Sequence, residues 1–166
     1  MIYSAAIDTP LGAILAAGED NALCGLWFIG QKYFPANSGT WTEAPGRPVF
    51  ALLKTWLDEY FAGHRPKTKI IIAPNGTDFQ RKVWNALREI PYGNTITYGK
   101  IAAGLSSPGY KASAQAVGGA VGHNPVSILI PCHRVLGADG SLTGYAGGLE
   151  KKRALLELEG LKNLFF

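Results

Sequence analysis

The sequence predicts two folded domains, a small mixed α/β domain at residues 1–75 and a mainly helical domain at residues 76–166. Two observations predict this class. Short apolar runs between turn residues fill the N-terminal third, which is typical of strands, whereas apolar residues recur at helical spacing in the C-terminal half. The breaker sequence Pro74-Asn75-Gly76 marks the predicted boundary.

The N-terminal third contains three β-like runs, which an antiparallel meander accommodates most simply. These runs cover residues 2–7, 12–17 and 22–28. From Pro48 to Gly63 the apolar residues follow a helical period, and Gly63 is a typical stop. Residues 67–73 predict either one more strand or a strand-like linker.

The C-terminal half predicts a helix that begins at Thr77 or Asp78, since either side chain can cap it. Two short helices follow, one from Tyr98 to Leu105 and one from Lys111 to about Val121. Two short helices joined by a small turn indicate a helix-turn-helix, although the same spacing suits any small helical bundle.

Composition excludes several classes of protein. With 47% hydrophobic residues the chain forms a core. No apolar run reaches the length of a membrane span and no signal peptide is visible at the N-terminus, so we expect a cytoplasmic protein with no membrane partner. The net charge of +4 fits nucleic acid, but it fits an ordinary basic protein equally well.

The two cysteines, Cys24 and Cys132, are too few for a disulfide framework. Only His133 adjoins a cysteine, and the chain lacks the several spaced Cys and His residues of a zinc site, so we expect no metal and no cofactor. Each thiol is therefore either a small buried hydrophobe or a nucleophile.

The most informative segment surrounds Cys132. The apolar run Val126–Ile130 predicts a buried, strand-like stretch that ends at Pro131, and Cys132 and His133 follow at once. A histidine can take the proton of a thiol, directly or through a water, and a carboxylate can orient the imidazole. The alternative is a buried, inert thiol.

The sequence Pro131-Cys132-His133-Arg134-Val135 matches the signature of the O6-alkylguanine-DNA alkyltransferase family. The resemblance is specific from Phe79 to Gly160 and more general before that. Its further segments are Thr97–Ala102, Ala116–Ala120, Asn124-Pro125, Thr143–Gly148 and Leu155–Gly160.

This resemblance implies a ribonuclease-H-like α/β domain followed by a winged-helix-like domain that binds the minor groove of double-stranded DNA as a monomer. It implies that a damaged guanine is flipped out of the duplex, because its O6 atom lies inside the paired stack. The alkyl (methyl) group passes irreversibly from O6-alkylguanine, with O4-alkylthymine as a second substrate, to Cys132. Each molecule reacts once.

The resemblance also implies site residues. Cys132 is the acceptor, His133 is the general base acting through a water, and Glu159 orients His133. Asn124 holds a turn beside the site, and Tyr98 donates its hydroxyl to the guanine ring. Without the resemblance, each residue has a simpler interpretation. Glu159 would be a solvated helix carboxylate, Tyr98 would be a core aromatic, and Asn124 would be an ordinary turn residue.

Further residues are implied at the substrate and DNA surfaces. Tyr145 lines the pocket, and backbone groups of Val135 and Ala146 read the guanine edge. The outward face of the third helix has small or short residues, which allow close approach to a narrow groove or tight packing inside the protein. The predicted DNA contacts are Gln115, Ala112, Ala116 and Gly119, with Lys100 and Lys111 on phosphates.

Gln115 departs from the family, which usually has an arginine there that fills the space of the flipped base. Glutamine is neutral and shorter, and it lacks the planar stacking surface of a guanidinium. We therefore expect weaker binding or slower repair on duplex DNA, with near-normal thiol chemistry.

The competing functions are a non-catalytic lesion-binding protein of the same fold, a cysteine hydrolase and a winged-helix regulator. The lesion binders lack the acceptor cysteine, which is present here.

Overall fold

The structure is a computed structural model that describes all 166 residues. It divides into two compact units. Unit 1 comprises Met1–Asn75 together with Pro125–Ser127, and unit 2 comprises Gly76–Asn124 and Ile128–Phe166. No helix has both the length and the apolar character that crossing a membrane requires.

Unit 1 contains a four-stranded sheet with the order β3-β2-β1-β4. The predicted antiparallel meander is present, and a short fourth strand pairs with β1 in parallel. Its elements are β1 (Tyr3–Thr9), β2 (Gly12–Glu19), β3 (Ala22–Phe28), β4 (Thr42–Glu43) and the helix α1 (Pro48–Phe61). α1 packs against the sheet at Gly18, where an added Cβ would lie 3.1 Å from Val49.

The segment after α1 forms a strand-like linker rather than a full strand. Its only ladder contact is a parallel bridge between Ile72 and Leu23 of β3. The Leu23 N–H donates to the Ile71 carbonyl at 2.8 Å, and the Ala73 N–H donates to the Leu23 carbonyl at 2.9 Å. These two bonds attach the linker to the edge of the sheet.

Unit 2 is mainly helical. Its elements are α2 (Asp78–Arg88), β5 (Ile96–Thr97), α3 (Tyr98–Leu105), α4 (Ala114–Gly122), β6 (Val135–Leu136) and α5 (Leu149–Leu158). The hydroxyls of Thr77, Thr97 and Ser113 each accept a backbone N–H at the start of a helix, and Thr77 forms a full capping box with Gln80. The cap at Thr77 is one of the two that the sequence predicted.

Two local predictions are wrong. α4 begins at Ala114 rather than Lys111, because Ser113 caps it. Ala112 precedes the helix and is only 8% exposed, so it does not belong to the outward face. Its N–H donates instead to the Ser106 hydroxyl at 3.0 Å, inside the turn between α3 and α4.

The run Val126–Ile130 is mostly buried, as predicted, but it is not a strand. Val126 forms one bridge to Leu26, and Ile128 has a φ of 70°, a left-handed conformation that is rare for a β-branched residue. Reversal of the chain at this point brings Cys132 back towards Asn124.

One buried hydrogen bond connects α2 to α4. The indole Nε1–H of Trp84 donates to the Ala120 carbonyl at 2.9 Å, and the Trp84 side chain is almost fully buried. α2 therefore fixes the position of α4 by a polar contact as well as by packing.

We expect Trp84→Phe to lower the free energy of unfolding by about 1–3 kcal/mol, because the buried carbonyl loses its partner and the smaller ring leaves space. Chemical denaturation measures the change. The matched control is Trp56→Phe, at a half-buried tryptophan of α1 that stacks on Tyr60. An equal effect of both variants would contradict a specific role for the hydrogen bond.

Candidate active site

The Asn124 side chain and the Cys132 backbone N–H donate hydrogen bonds to the same backbone carbonyl. The Asn124 Nδ2–H donates to the Ile130 oxygen at 2.7 Å, and the Cys132 N–H donates to the same oxygen at 2.8 Å. Asn124 is 5% exposed, so its amide is part of the interior of unit 2. Its side chain also hydrogen-bonds to the Cys132 thiol. Asn124 thus closes the turn that carries the cysteine.

Cys132 begins a short 3-10 turn, Cys132–Arg134, and is 7% exposed. Burial raises the pKa of its thiol, while the hydrogen bond from Asn124 and the charge of Lys152 act in the opposite direction. The net shift is upward, so the sulfur is protonated at neutral pH. Nucleophilic attack therefore requires a base that accepts the thiol proton.

His133, the residue after Cys132, forms a buried pair with Glu159. The His133 Nε2 and the Glu159 Oε2 are 2.6 Å apart, and neither side chain has any solvent exposure. Burial would raise the pKa of Glu159, but the hydrogen bonds from His133 and Arg134 lower it to about 2. The carboxylate is thus ionised, which excludes the solvated helix carboxylate considered from sequence.

The protonation of His133 follows from that of Glu159. Burial lowers the pKa of His133 below its ordinary value, although the Glu159 hydrogen bond and charge act against this shift. The imidazole is therefore neutral near pH 7. Because an ionised carboxylate only accepts hydrogen bonds, the single ring proton is on Nε2. His133 Nδ1 is buried and has no hydrogen-bond partner in the chain, so its lone pair can accept a proton.

Glu159 also binds two further donors. Arg134 donates through Nε to Oε1 at 2.8 Å and through Nη2 to Oε2 at 3.1 Å, and the Gly93 N–H donates to Oε1 at 3.0 Å. The remaining guanidinium nitrogen, Nη1, donates to the Ile90 carbonyl at 2.7 Å. Sequence reasoning assigned no role to Arg134, although it belongs to the signature motif.

Lys152 was also missed from the sequence. It is fully buried on α5, and its ammonium donates to the Thr143 and Gly144 carbonyls at 2.9 and 3.1 Å. Burial lowers the pKa of Lys152 to about 8, and the nearby Cys132 opposes this change. The sequence does indicate that Lys152 is buried, because it lies three residues from Leu149 and from Leu155, on the apolar face of the helix.

Tyr98 lies at the start of α3, with its hydroxyl near the same loop. The hydroxyl donates to the Thr143 carbonyl at 3.1 Å, and an added Cβ on Gly144 would lie 3.9 Å from the Tyr98 oxygen. Burial raises the pKa of Tyr98, with a smaller opposing effect from the Thr143 hydrogen bond and a further rise from Cys132. The hydroxyl therefore keeps its proton and can act as a donor.

The predicted substrate residues lie in the chain segments that flank these groups. Val135 follows the 3-10 turn directly and pairs with Ile96 between β6 and β5. Tyr145 and Ala146 are half-buried and belong to a turn closed by the Gly148 N–H on the Tyr145 carbonyl at 2.9 Å. Their contact with a base stays a prediction.

The predicted DNA contacts on α4 are exposed, apart from Ala112. Gln115, Ala116 and Gly119 are open to solvent on this helix, as are Lys100 in α3 and Lys111 before α4. An added Cβ on Gly119 would meet no atom within 4 Å, so this glycine is not required for packing inside the chain. Small residues therefore leave this part of the helix backbone accessible. No group of three or more His, Cys, Asp or Glu side chains is arranged to hold a metal ion.

Comparisons with known proteins identify both halves of the chain. Residues 2–74 match the profile of the 6-O-methylguanine DNA methyltransferase, ribonuclease-like domain, and residues 78–161 match that of the 6-O-methylguanine DNA methyltransferase, DNA binding domain. These matches confirm the predicted fold class, an α/β domain followed by a helical DNA-binding domain.

Relatives that match over almost the whole chain support the same family. The methylated-DNA–protein-cysteine methyltransferase of Mycobacterium tuberculosis is 47% identical over 96% of this chain and 93% of that protein. The protein of the same name from Methanosarcina acetivorans is 46% identical over 96% of this chain and 99% of that protein. The structure of M. tuberculosis OGT in complex with DNA matches with a TM-score of 0.86 at 46% identity, over 95% of this chain and 92% of that chain. The chain belongs to the 6-O-methylguanine DNA methyltransferase family.

Proposed function

We propose that this protein repairs DNA directly, by moving an alkyl group from O6 of guanine to the sulfur of Cys132. The observation that carries the proposal is the buried pair that Glu159 forms with His133, the residue that follows the buried Cys132, at the position of the family signature. That pair supplies a neutral imidazole with an available lone pair. The Cys132 thiol keeps its proton until a base accepts it.

In the proposed reaction, His133 Nδ1 accepts the thiol proton through a bridging water. Glu159 stabilises the imidazolium that forms, while Arg134 and the Gly93 N–H keep the carboxylate ionised and fixed. Glu159 is a positioning residue, because it acts through His133. Lys152 places a positive charge near the sulfur, which favours the thiolate over the thiol.

The thiolate then attacks the alkyl carbon. The sulfur–carbon bond forms as the carbon–O6 bond breaks, and the electron pair of that bond goes to the guanine. Tyr98 donates its proton to the guanine ring, so the base leaves neutral. The proton that His133 accepted from the thiol then passes to the Tyr98 oxygen, which returns both residues to their starting charge. The product is a thioether with no good leaving group, so each molecule reacts once. O4-alkylthymine presents a similar alkyl–oxygen bond and is the proposed second substrate.

We propose that α4 delivers the base from the minor groove of double-stranded DNA, with the protein bound as a monomer. The exposed small residues Ala116 and Gly119 support this docking, because they allow the helix to approach a narrow groove. The structure of the M. tuberculosis relative in complex with DNA supports DNA binding. The cytoplasm is the proposed compartment, since both cysteines are free thiols.

The second candidate is a non-catalytic protein that binds alkylated DNA. Only the neutral Gln115 favours it, because weak base flipping would leave binding as the main activity. The buried Cys132–His133–Glu159 arrangement favours transfer, since a binding protein has no need of an imidazole with an available lone pair.

Incubation with duplex DNA that contains O6-methylguanine should add one methyl group to Cys132 and nothing further. Peptide mass spectrometry locates the group. Cys132→Ser should stay unmodified, and the control Cys24→Ser should react as the parent does, because Cys24 lies in β3 of unit 1. Repeated turnover, or a methyl group on Cys24, would exclude the proposed reaction.

We expect Glu159→Gln to slow alkyl transfer at least about tenfold, since the imidazolium loses its counter-charge. Transfer by the parent should fall as the pH drops below about 6.5, because protonation of His133 removes the base, and the lowered pKa of His133 puts the midpoint below that of free imidazole.

Single-turnover rates on O6-benzylguanine, measured on protein shown to be folded by circular dichroism, provide this test. The control is Glu157→Gln, an exposed carboxylate on the same helix. A rate that stays constant from pH 8 to pH 5 would rule out a histidine base.

Gln115→Arg should raise the rate on duplex substrate by about tenfold, because a guanidinium adds charge and a stacking surface where the base leaves the helix. The rate on free O6-benzylguanine should not change. Ala114→Arg, at the neighbouring exposed position of α4, adds the same charge and serves as the control. If Gln115→Arg and its parent repair the duplex at the same rate, delivery of the base does not depend on this residue.

A further inference from the structure

Unit 1 carries an exposed basic strip, which we define as residues 64–69, with the sequence His-Arg-Pro-Lys-Thr-Lys. No acidic residue occurs between Glu59 and Asp78. The side chains of Arg65, Lys67 and Lys69 are exposed, whereas the residues between them are half-buried. The strip is therefore a concentrated positive surface that the alkyl transfer does not use.

The strip is held in place within its length and just beyond its end. Within the strip, the Glu59 carboxylate of α1 accepts the backbone N–H groups of Lys67 and Thr68 at 3.1 and 3.3 Å, and it also accepts the Thr68 hydroxyl. Beyond the strip, Ile71 and Ala73 form backbone hydrogen bonds with Leu23 of β3. The cations thus project from an ordered backbone, which reduces the entropy lost when they bind a partner.

The alternation of exposed and half-buried residues indicates an extended backbone. In such a backbone, alternate side chains point to the same side at intervals of roughly 6.6 Å. Arg65, Lys67 and Lys69 then form a row of cations, and the Glu59 oxygens are occupied by the backbone behind it. A row of this kind suits a linear chain of negative charges.

The helix proposed to dock on DNA and its neighbour α3 carry few cations, although α2 exposes Arg81, Lys82 and Arg88. α4 has no charged residue at all, and no lysine or arginine occurs between Lys111 and Arg134. Arg134 is buried against Glu159, so it is not available to DNA. α3 and the turn after it contribute only Lys100 and Lys111. Because sequence-independent affinity for DNA comes from neutralised phosphates, much of it must come from other cations.

We propose that the basic strip binds the phosphate backbone of double-stranded DNA, so that unit 1 adds sequence-independent affinity to the recognition made by unit 2. The inference rests on the proposed function, which makes duplex DNA the partner. An acidic protein surface would also suit three cations. It is the weaker candidate, because the exposed apolar side chain nearest in sequence, Ile71, lies beyond the end of the strip and does not form the apolar centre that protein interfaces bury.

The test measures the affinity for a fluorescent duplex with one O6-methylguanine, by anisotropy, as a function of salt concentration. The variant is Arg65→Gln/Lys67→Gln/Lys69→Gln. The control is Lys32→Gln/Lys54→Gln/Lys162→Gln, which removes the same charge from exposed positions outside the strip.

We expect the strip variant to lose at least about tenfold in affinity near 0.1 M salt, and the slope of log affinity against log salt to fall by about 2 to 3. The control should keep the parental slope. Both variants should react normally with free O6-benzylguanine. The single change Lys69→Glu should weaken binding more than Lys54→Glu, which repeats the comparison with little risk to folding.

Equal slopes for the strip variant and the control would overturn the inference, and would leave an acidic protein as the partner to test. If the parent itself neither binds the duplex nor gains a methyl group, the proposed function fails instead. The two failures are thus distinguishable.

Discussion

The carboxylate of Glu159 is the group on which the arrangement of unit 2 depends. It lies just past the end of α5 and accepts hydrogen bonds from His133, from Arg134 and from the Gly93 N–H before β5. These donors keep it ionised although its side chain is fully buried, which would otherwise be unfavourable. The same contact fixes the tautomer of His133 and the start of the strand that leads into α3. Loss of this charge would leave the Arg134 guanidinium buried without a counter-ion.

Before a substrate binds, the Cys132 thiol is protonated and enclosed, and it is therefore not yet a strong nucleophile. Burial raises the pKa of Cys132, so the thiol keeps its proton, whereas the pKa of about 8 for the buried Lys152 leaves that side chain mostly charged at neutral pH. A protonated, enclosed sulfur reacts slowly with oxidants in solution. In the proposed mechanism, reactivity then depends on proton transfer to His133 within the site. For a reagent that reacts once, this arrangement limits loss to side reactions.

Much of the fold and of the site follows from sequence patterns, and the exceptions have physical reasons. Helix starts at Thr77 and Thr97 have local signals, and the motif around Cys132 predicts the acceptor and the base proposed for it. Burial of Glu159 has no local signal, because its donors come from segments distant in sequence. The turn at Ile128 was read as a strand because apolar runs do not reveal a positive φ. Lys152 was missed because a buried lysine is rare, although helical spacing marks its position.

Residues Pro125–Ser127 belong to unit 1, although the residues on either side of them belong to unit 2. They form part of the edge of the unit 1 sheet, where the Leu26 N–H donates to the Pro125 carbonyl at 2.7 Å and the Ser127 N–H donates to the Leu26 carbonyl at 2.9 Å. The protein is therefore not modular in the sense that one cut could separate its halves. A fragment that began at Gly76 would carry Val126 without its strand partner, six residues before the nucleophile. Exchange of N-terminal domains between relatives would have to preserve the backbone of β3 at Leu26.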